Sequence, residues 1–377
     1  MGIVRIASIQ SRALAAPVER PLYFGIGPFP TFYATLVEIA TDTGITGVGE
    51  CIVRKAPQVT KQIVDEILAP VVIGRDPWDV EGLWQEMFDQ LRRWGHSRGF
   101  FLEAISGVDI AIWDILGKSV GLPVSKILTG VGRERVKCYA SSIYFADLQK
   151  MVAEAKEQVQ KGHTALKVKI GRTPEQGGLR MDVEAVRTIR EAVGSDIEIM
   201  VDANGAYDAA TAIRVGRYLE ELDVAWFEEP VPPDDMEGYA RVRQALRIPI
   251  ACGESEFGVF GFRDLILRRG VDILQPDIAR IGGFTGARKV AALADAYHLS
   301  IAPHTGFSGG VCHLAALHFA AATPNFLTYE AMFIENPLMD IFTEPLPQPS
   351  QGYIPVPQRP GLGLDLDREK IQRFTVS

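Results

Sequence analysis

From about Val136 the chain alternates between two periods. Short apolar runs lie at Val136–Ser141, Ala165–Ile170, Ile197–Ala203, Val224–Phe227, Ile248–Gly253, Asp272–Pro276, Leu299–Pro303 and Phe326–Tyr329. Between them, Leu148–Lys161, Val183–Val193, Ala209–Glu221, Met236–Leu246, Phe260–Gly270, Gly286–Tyr297 and Gly309–Ala322 repeat apolar residues at helical spacing. Short β-rich runs alternating with amphipathic helices predict parallel strands closed into an α/β barrel. An open doubly wound sheet is the other solution, but no G-x-G-x-x-G opens the first βα turn.

The chain before this region reads differently. Ile3–Ala13 and Thr35–Thr41 partly alternate as strands, Asp42-Thr43-Gly44 predicts a turn, and Thr46–Glu50 resumes extended structure. From Ala56 the period becomes helical, over Gln58–Val72, Val80–Arg93 and Phe101–Val120, and Gly121-Leu122-Pro123 stops the last of these. The expected organisation is an α+β module over 1–130, a barrel over 131–330 and a tail over 331–377. The tail is rich in Pro and Gly and is expected to return to the first module.

A length of 377 residues suits one large barrel plus a smaller module. The net charge of −8 argues against a nucleic-acid surface, which needs a basic patch. Cys51, Cys138, Cys252 and Cys312 are scattered with no C-x-x-C pair, so buried free thiols in a reducing compartment are expected. The N-terminus lacks the long apolar core of a signal peptide, and no apolar run reaches the roughly 18 residues of a membrane span. A cytoplasmic protein with neither nucleic-acid nor membrane partners is expected.

The chemistry lies at the ends of the predicted strands. IEIMVD ends in Asp202, VAWFE in Glu228, IPIACGE in Glu254, DILQPD in Asp277, LSIAPH in His304 and NFLTYE in Glu330. The intervals are 26, 26, 23, 27 and 26 residues, each about one βα unit. In a barrel such ends converge on one mouth. A single carboxylate after a strand is most simply a cap for the next helix. Three in register are different: Asp202, Glu228 and Glu254 would repel unless a cation lay between them. All-oxygen ligation favours Mg²⁺.

In the second run, ALKVKIG, Leu166, Val168 and Ile170 share one face, and Lys167 and Lys169 share the other. In a closed barrel the apolar face packs on the helices and both lysines turn inward. Mutual repulsion and a metal would lower their pKa values and leave one as a neutral base. Asp277, at the neighbouring strand end, is placed to orient His304. No G-x-S-x-G supplies a serine for that pair to activate. The other histidines, His96, His163, His298, His313 and His318, have no comparable setting.

Taken in order, Lys167-Val168-Lys169, VDAN at Asp202, FEEP at Glu228, GES at Glu254, QPD…GG at Asp277 and PH at His304 resemble the mandelate racemase subgroup of the enolase superfamily. SGVDIAIWDILGK at Ser106–Lys118 and GLGLDLD at Gly361–Asp367 extend the likeness over nearly the whole chain. The resemblance implies a (β/α)₇β barrel under a capping domain made of the N- and C-terminal segments. It implies Mg²⁺ on Asp202, Glu228 and Glu254, and Lys169 as base on one face of the substrate. Lys167 would neutralise the substrate carboxylate. His304, paired with Asp277, would serve the opposite face, and Glu330 would hydrogen-bond the carboxylate and stabilise the enediolate. Other branches fit less well. No lysine follows the sixth strand, where Asp277-Ile278-Ala279-Arg280 stands. Glu254 replaces the Asn of glucarate dehydratases, and mannonate dehydratases lack the K-x-K pair.

The resemblance further implies abstraction of the proton α to a carboxylate. Dehydration of an aldonic or aldaric sugar acid is the favoured outcome. Lactone cycloisomerisation and racemisation or epimerisation are the rivals, and a non-catalytic binding protein on the same fold is the remote one. The aromatic and Gly-rich segment Arg20–Phe29 suits either a lid or a structural hairpin. Tyr23 and Phe24 within it, with Arg54 and Asn204, are the candidate substrate contacts. Family habit suggests a dimer or an octamer.

Overall fold

A computed structural model describes residues 4–129 and 132–376. The expected strand start at Ile3, the expected boundary between 130 and 131 and the chain end at Ser377 lie outside the described residues. An antiparallel sheet comes first: β1 (Ile6–Phe24), β2 (Gly27–Thr41) and β3 (Thr46–Val53) pair in the order β1-β2-β3. The β1–β2 hairpin is longer than the alternation predicts and takes in the whole of Arg20–Phe24. Its register shifts between Pro17 and Leu22, where Pro17 has no N–H to donate to the ladder.

Helices follow the sheet: α1 (Pro57–Ile63), a π turn at Val64–Leu68, α2 (Ala69–Val72), α3 (Val80–Arg92), α4 (Phe100–Val120) and α5 (Val124–Thr129). The expected helix over 58–72 is interrupted because Pro70 offers no N–H, and Ala69 N–H bonds Val64 five residues back. Nearly all of α4 is buried. It lies against β3 in backbone contact, since a side chain at Gly49 would collide with the Gly107 carbonyl.

The expected barrel is present. Its strands are β4 (Arg135–Ile143), β5 (Ala165–Lys169), β6 (Glu198–Asp202), β7 (Val224–Glu228), β8 (Ile250–Cys252), β9 (Ile273–Leu274), β10 (Ser300–Ile301) and β11 (Tyr329–Met332). Its helices are α6 (Leu148–Gln160), α7 (Gly178–Val193), α8 (Ala209–Glu221), α9 (Met236–Ala245), α10 (Gly258–Leu267), α11 (Gly283–Ala296) and α12 (Gly310–Ala322). Parallel pairing runs from β10 back to β4 and on to β11. A parallel bridge between Ile301 and Phe326 joins the remaining edges. Strands β8 to β10 are shorter than predicted because Pro249, Pro276 and Pro303 cannot donate to the ladder. In the tail, β12 (Tyr353–Pro355) pairs antiparallel with the start of β4. α13 (Arg368–Phe374) follows, and Val376 N–H then bonds Ala13 of β1.

Buried carboxylates join the first sheet and α4 to the barrel helices. Asp109 of α4 accepts from the backbone N–H and the hydroxyl of Thr285 in the first turn of α11. Glu50 of β3 accepts from Gly309 and Cys312 N–H at the start of α12. Both use helix N–H groups that have no partner within their own helix.

Candidate active site

A layer inside the barrel is made of Tyr139, Ala165, Met200, Trp226, Ala251, Ile273 and Ala302, one from each of β4 to β9 and one beside β10. Side chains of a strand return to the same face every second residue. Two positions beyond Ala165, Met200 and Trp226 therefore come Lys167, Asp202 and Glu228, pointing into the barrel at its C-terminal mouth. Trp226 Nε1–H donates from below to Glu228 Oε2 at 3.1 Å. Glu254 joins by a different route. After β8, Gly253 takes φ +131, a conformation that suits glycine, and its missing Cβ would lie 2.8 Å from the Phe262 ring.

Asp202, Glu228 and Glu254 are buried, and each offers an oxygen within 4.8 Å of the others. Lys167, 1% exposed, lies 2.7 Å from Glu228 Oε1, 2.6 Å from Glu330 Oε1 and 3.7 Å from Asp202 Oδ2. Lys169, 5% exposed, pairs with Asp202 and donates to Asn204 Oδ1 at 3.1 Å. Asn204 sits at φ +46, which Asn tolerates, and its N–H donates to Asp202 Oδ1. Across the mouth, His304 Nδ1 lies 2.8 Å from Asp277 Oδ2. With the carboxylate as acceptor, Nδ1 carries the hydrogen and Nε2 faces inward, 3.3 Å from Glu254 and 3.9 Å from Glu330. Glu330 accepts from Thr305 N–H at 3.0 Å.

The surrounding carboxylates hold both lysines toward the charged form. Burial disfavours the ammonium of Lys167, but Glu228, Glu330, Tyr139 and Asp202 outweigh it and hold the pKa well above the ordinary lysine value. Burial opposes Lys169 too, as does Lys167, but Asp202 together with Tyr144 and Glu254 keeps its pKa raised. Burial, and then Asp202, push Glu228 up to about 8. His304 loses to burial but gains more from Glu254, Glu330 and Asp277, so its pKa is raised.

Five acids, Asp202, Glu228, Glu254, Asp277 and Glu330, thus face three basic groups, Lys167, Lys169 and His304. Acidic groups therefore outnumber basic ones at the mouth, and burial with mutual repulsion keeps the proton on Glu228 up to about 8. Glu254 Oε2 is buried and accepts no hydrogen bond among the described residues, and it faces His304 Nε2 at 3.3 Å. An all-oxygen triad whose oxygens lie within 4.8 Å of one another fits a hard ion such as Mg²⁺.

The hairpin tip closes over this cluster. Phe24 stacks on Phe307 with centroids 5.0 Å apart, and Lys169 Nζ lies 5.5 Å from the Phe24 ring centroid. Phe145 N–H donates to the Tyr23 carbonyl, tying the tip to the loop after β4. The Tyr23 side chain is 49% exposed, so Phe24 alone of that pair faces Lys169. Arg54 packs over Phe307 and donates to the Gly306 carbonyl at 2.8 Å. Burial lowers its pKa, Arg280 adds to this, and Glu254 and Asp277 oppose it. Lys55 is exposed.

Tyr144, Phe307 and Arg280 are absent from the sequence-based site. Arg280 donates to the Glu254 carbonyl and pairs with Glu103. Tyr144 directly follows the first barrel strand, which is the one signal that marked it. Phe307 lies in a loop with no local pattern.

The family described as "Mandelate racemase / muconate lactonizing enzyme, N-terminal domain" matches residues 8–129, and "Enolase C-terminal domain-like" matches residues 150–370. The chain is 34% identical to D-galactarolactone cycloisomerase of Agrobacterium fabrum, covering 98% of this chain and 99% of that protein. It is 35% identical to arabinonate dehydratase of Saccharolobus solfataricus over 86% of each. A solved racemase from Streptomyces coelicolor with bound magnesium is 30% identical and superposes with a TM-score of 0.90, covering 98% of this chain and all of that one.

Proposed function

The chain belongs to the mandelate racemase / muconate lactonizing enzyme family of the enolase superfamily, and from that premise we propose that it dehydrates an aldonic or aldaric sugar acid to a 2-keto-3-deoxy acid, beginning with removal of the α-proton. The observation that carries the reading is the pair Lys169 and His304. They stand on β5 and after β10, on either side of the arc that bears Asp202, Glu228 and Glu254. Two proton-transfer groups facing each other across one substrate allow one to take the α-proton and the other to protonate a departing β-hydroxyl.

Asp202, Glu228 and Glu254 would hold Mg²⁺. When bound, that ion neutralises the carboxylates that otherwise keep Lys167 and Lys169 charged, and it stabilises negative charge on the substrate carboxylate. Lys167 and Glu330 stand beside the same end of the substrate. Lys167 offsets charge there, and Glu330 in its protonated form donates a hydrogen bond to the enediolate. Lys169 Nζ takes the α-proton. His304, held by Asp277, delivers a proton from Nε2 to the leaving hydroxyl. Phe24 and Phe307 keep water from the reacting face. The four buried free cysteines suit a reducing cytoplasm. Among the described residues no helix is long and apolar enough to cross a membrane.

Cycloisomerisation of a sugar-acid lactone is the second reading. Full-length similarity to D-galactarolactone cycloisomerase favours it, and the same two groups serve its proton transfers. Mass spectrometry in deuterated water, with Mg²⁺ and a panel of aldonic, aldaric and lactone acids, separates the two. Loss of water to a 2-keto acid supports dehydration. Deuterium uptake at the α-carbon without loss of water supports the isomerases. No change with any acid removes both.

A further inference from the structure

The aromatic wall over Lys169 carries one polar atom that packing does not require. Tyr144 is 9% exposed, and its hydroxyl is buried with no hydrogen-bond partner among the described residues. Its ring meets Phe24 edge-on at 6.0 Å and Phe307 at 6.4 Å, and Lys169 Nζ lies 5.8 Å from its centroid. A phenylalanine would make each of these contacts. A buried hydroxyl without a partner costs stability that phenylalanine would not. The oxygen is therefore accounted for by a group that arrives after folding.

The position of Tyr144 narrows what that group is. In the proposed reaction, on which this inference rests, the substrate carboxylate lies toward Lys167 and the triad, and the α-carbon lies at Lys169. Tyr144 stands beside Lys169 and in ring contact with Phe24 of the hairpin tip. Its neighbours Phe24 and Phe307 offer only ring faces, which suit the C–H surface of a sugar. A phenol both donates and accepts, as an alcohol does.

We propose that the Tyr144 hydroxyl hydrogen-bonds a hydroxyl group on the substrate chain beyond the β-carbon, and so selects polyhydroxy acids over 2-hydroxy acids with an apolar substituent. A site built to pair with a substrate hydroxyl rejects the analogue that lacks it.

The test is Tyr144→Phe, compared with wild type on the sugar acid that the screen identifies and on its monodeoxy analogues. In the free enzyme the melting temperature is expected to stay the same or rise, because no hydrogen bond is lost. On the parent acid kcat/KM is expected to fall about tenfold or more, the size of one lost hydrogen bond. On the one analogue that lacks the paired hydroxyl, wild type and variant are expected to agree within about threefold, less than the loss of one hydrogen bond. A lowered melting temperature, or a loss shared equally by every analogue, overturns the proposal in favour of a structural role. Wild-type turnover that the variant leaves within twofold overturns it alone. Absence of wild-type turnover on every acid removes the proposed reaction and this inference together.

Discussion

At the seam between the first sheet and the barrel, Glu50 and Asp109 are buried against the N-termini of α12 and α11. At the barrel mouth, Asp202, Glu228 and Glu254 are buried against one another and against Lys167 and Lys169. The seam carboxyls bond backbone N–H groups that folding puts in place and keeps there. Burial, more than any neighbouring charge, pushes both Glu50 and Asp109 up to about 7. The mouth carboxylates instead have movable ammonium partners, and they outnumber them. One set is complete in the folded chain. In the proposed reaction the other set is completed by an ion and a substrate, which is how a site differs from a joint made of the same residue types.

The largest effect is expected at the proposed proton-transfer groups. Lys169→Ala and His304→Asn should each lower turnover by about 10²–10⁴-fold, the usual weight of general acid–base catalysis, while leaving circular dichroism unchanged. Single-turnover assays in deuterated water read this directly. Equal activity in either variant would remove that residue from the mechanism.

Ion binding comes next. Mg²⁺ at about 100 times its Kd should stabilise the wild type by about 2.7 kcal/mol, read as a thermal shift. Asp202→Asn should abolish that shift. A shift that survives the substitution would place the ion elsewhere.

At the seam the response should be the reverse. Asp109→Ala strands the Thr285 N–H and should cost about 1–3 kcal/mol in denaturant unfolding. The Mg²⁺-induced shift should remain. Loss of the shift in this variant would show that seam and mouth are not separable.

The smallest effect is a pH dependence. A folded carboxyl with a raised pKa keeps a proton that the unfolded chain has released. Its stabilising contribution is full below the unfolded value near 4.5 and is lost as pH rises through about 7. Gln at position 50 cannot ionise. Glu50→Gln should therefore lose less stability than wild type between pH 5 and 8, by on the order of 1 kcal/mol. Parallel melting curves across that range would remove Glu50 from the effect.

Much of this site can be read along the chain. Six ionisable residues recur at the ends of six apolar runs, one βα unit apart, and a barrel brings such ends together. The alternation in Ala165–Ile170 places both lysines on the inward face because period 2 is a property of any strand. The proline positions were also visible, but their shortening of β8, β9 and β10 depends on which ladder bonds each strand would otherwise make.

Periodicity along the chain is thus enough for the inventory and its facing: which residues stand at the mouth, and that Lys167 and Lys169 point inward. These follow from periodicity within single elements. Tertiary structure alone decided how the groups pair and what charge they carry. Lys169 meets Asp202 across 33 residues of chain, Lys167 meets Glu228 across 61, and Glu50 meets Gly309 across 259. It also brought Phe24, Tyr144 and Phe307 into one wall above Lys169. Coulomb energy and burial depend on distance and on the medium between groups, and neither is fixed until the strands are packed side by side.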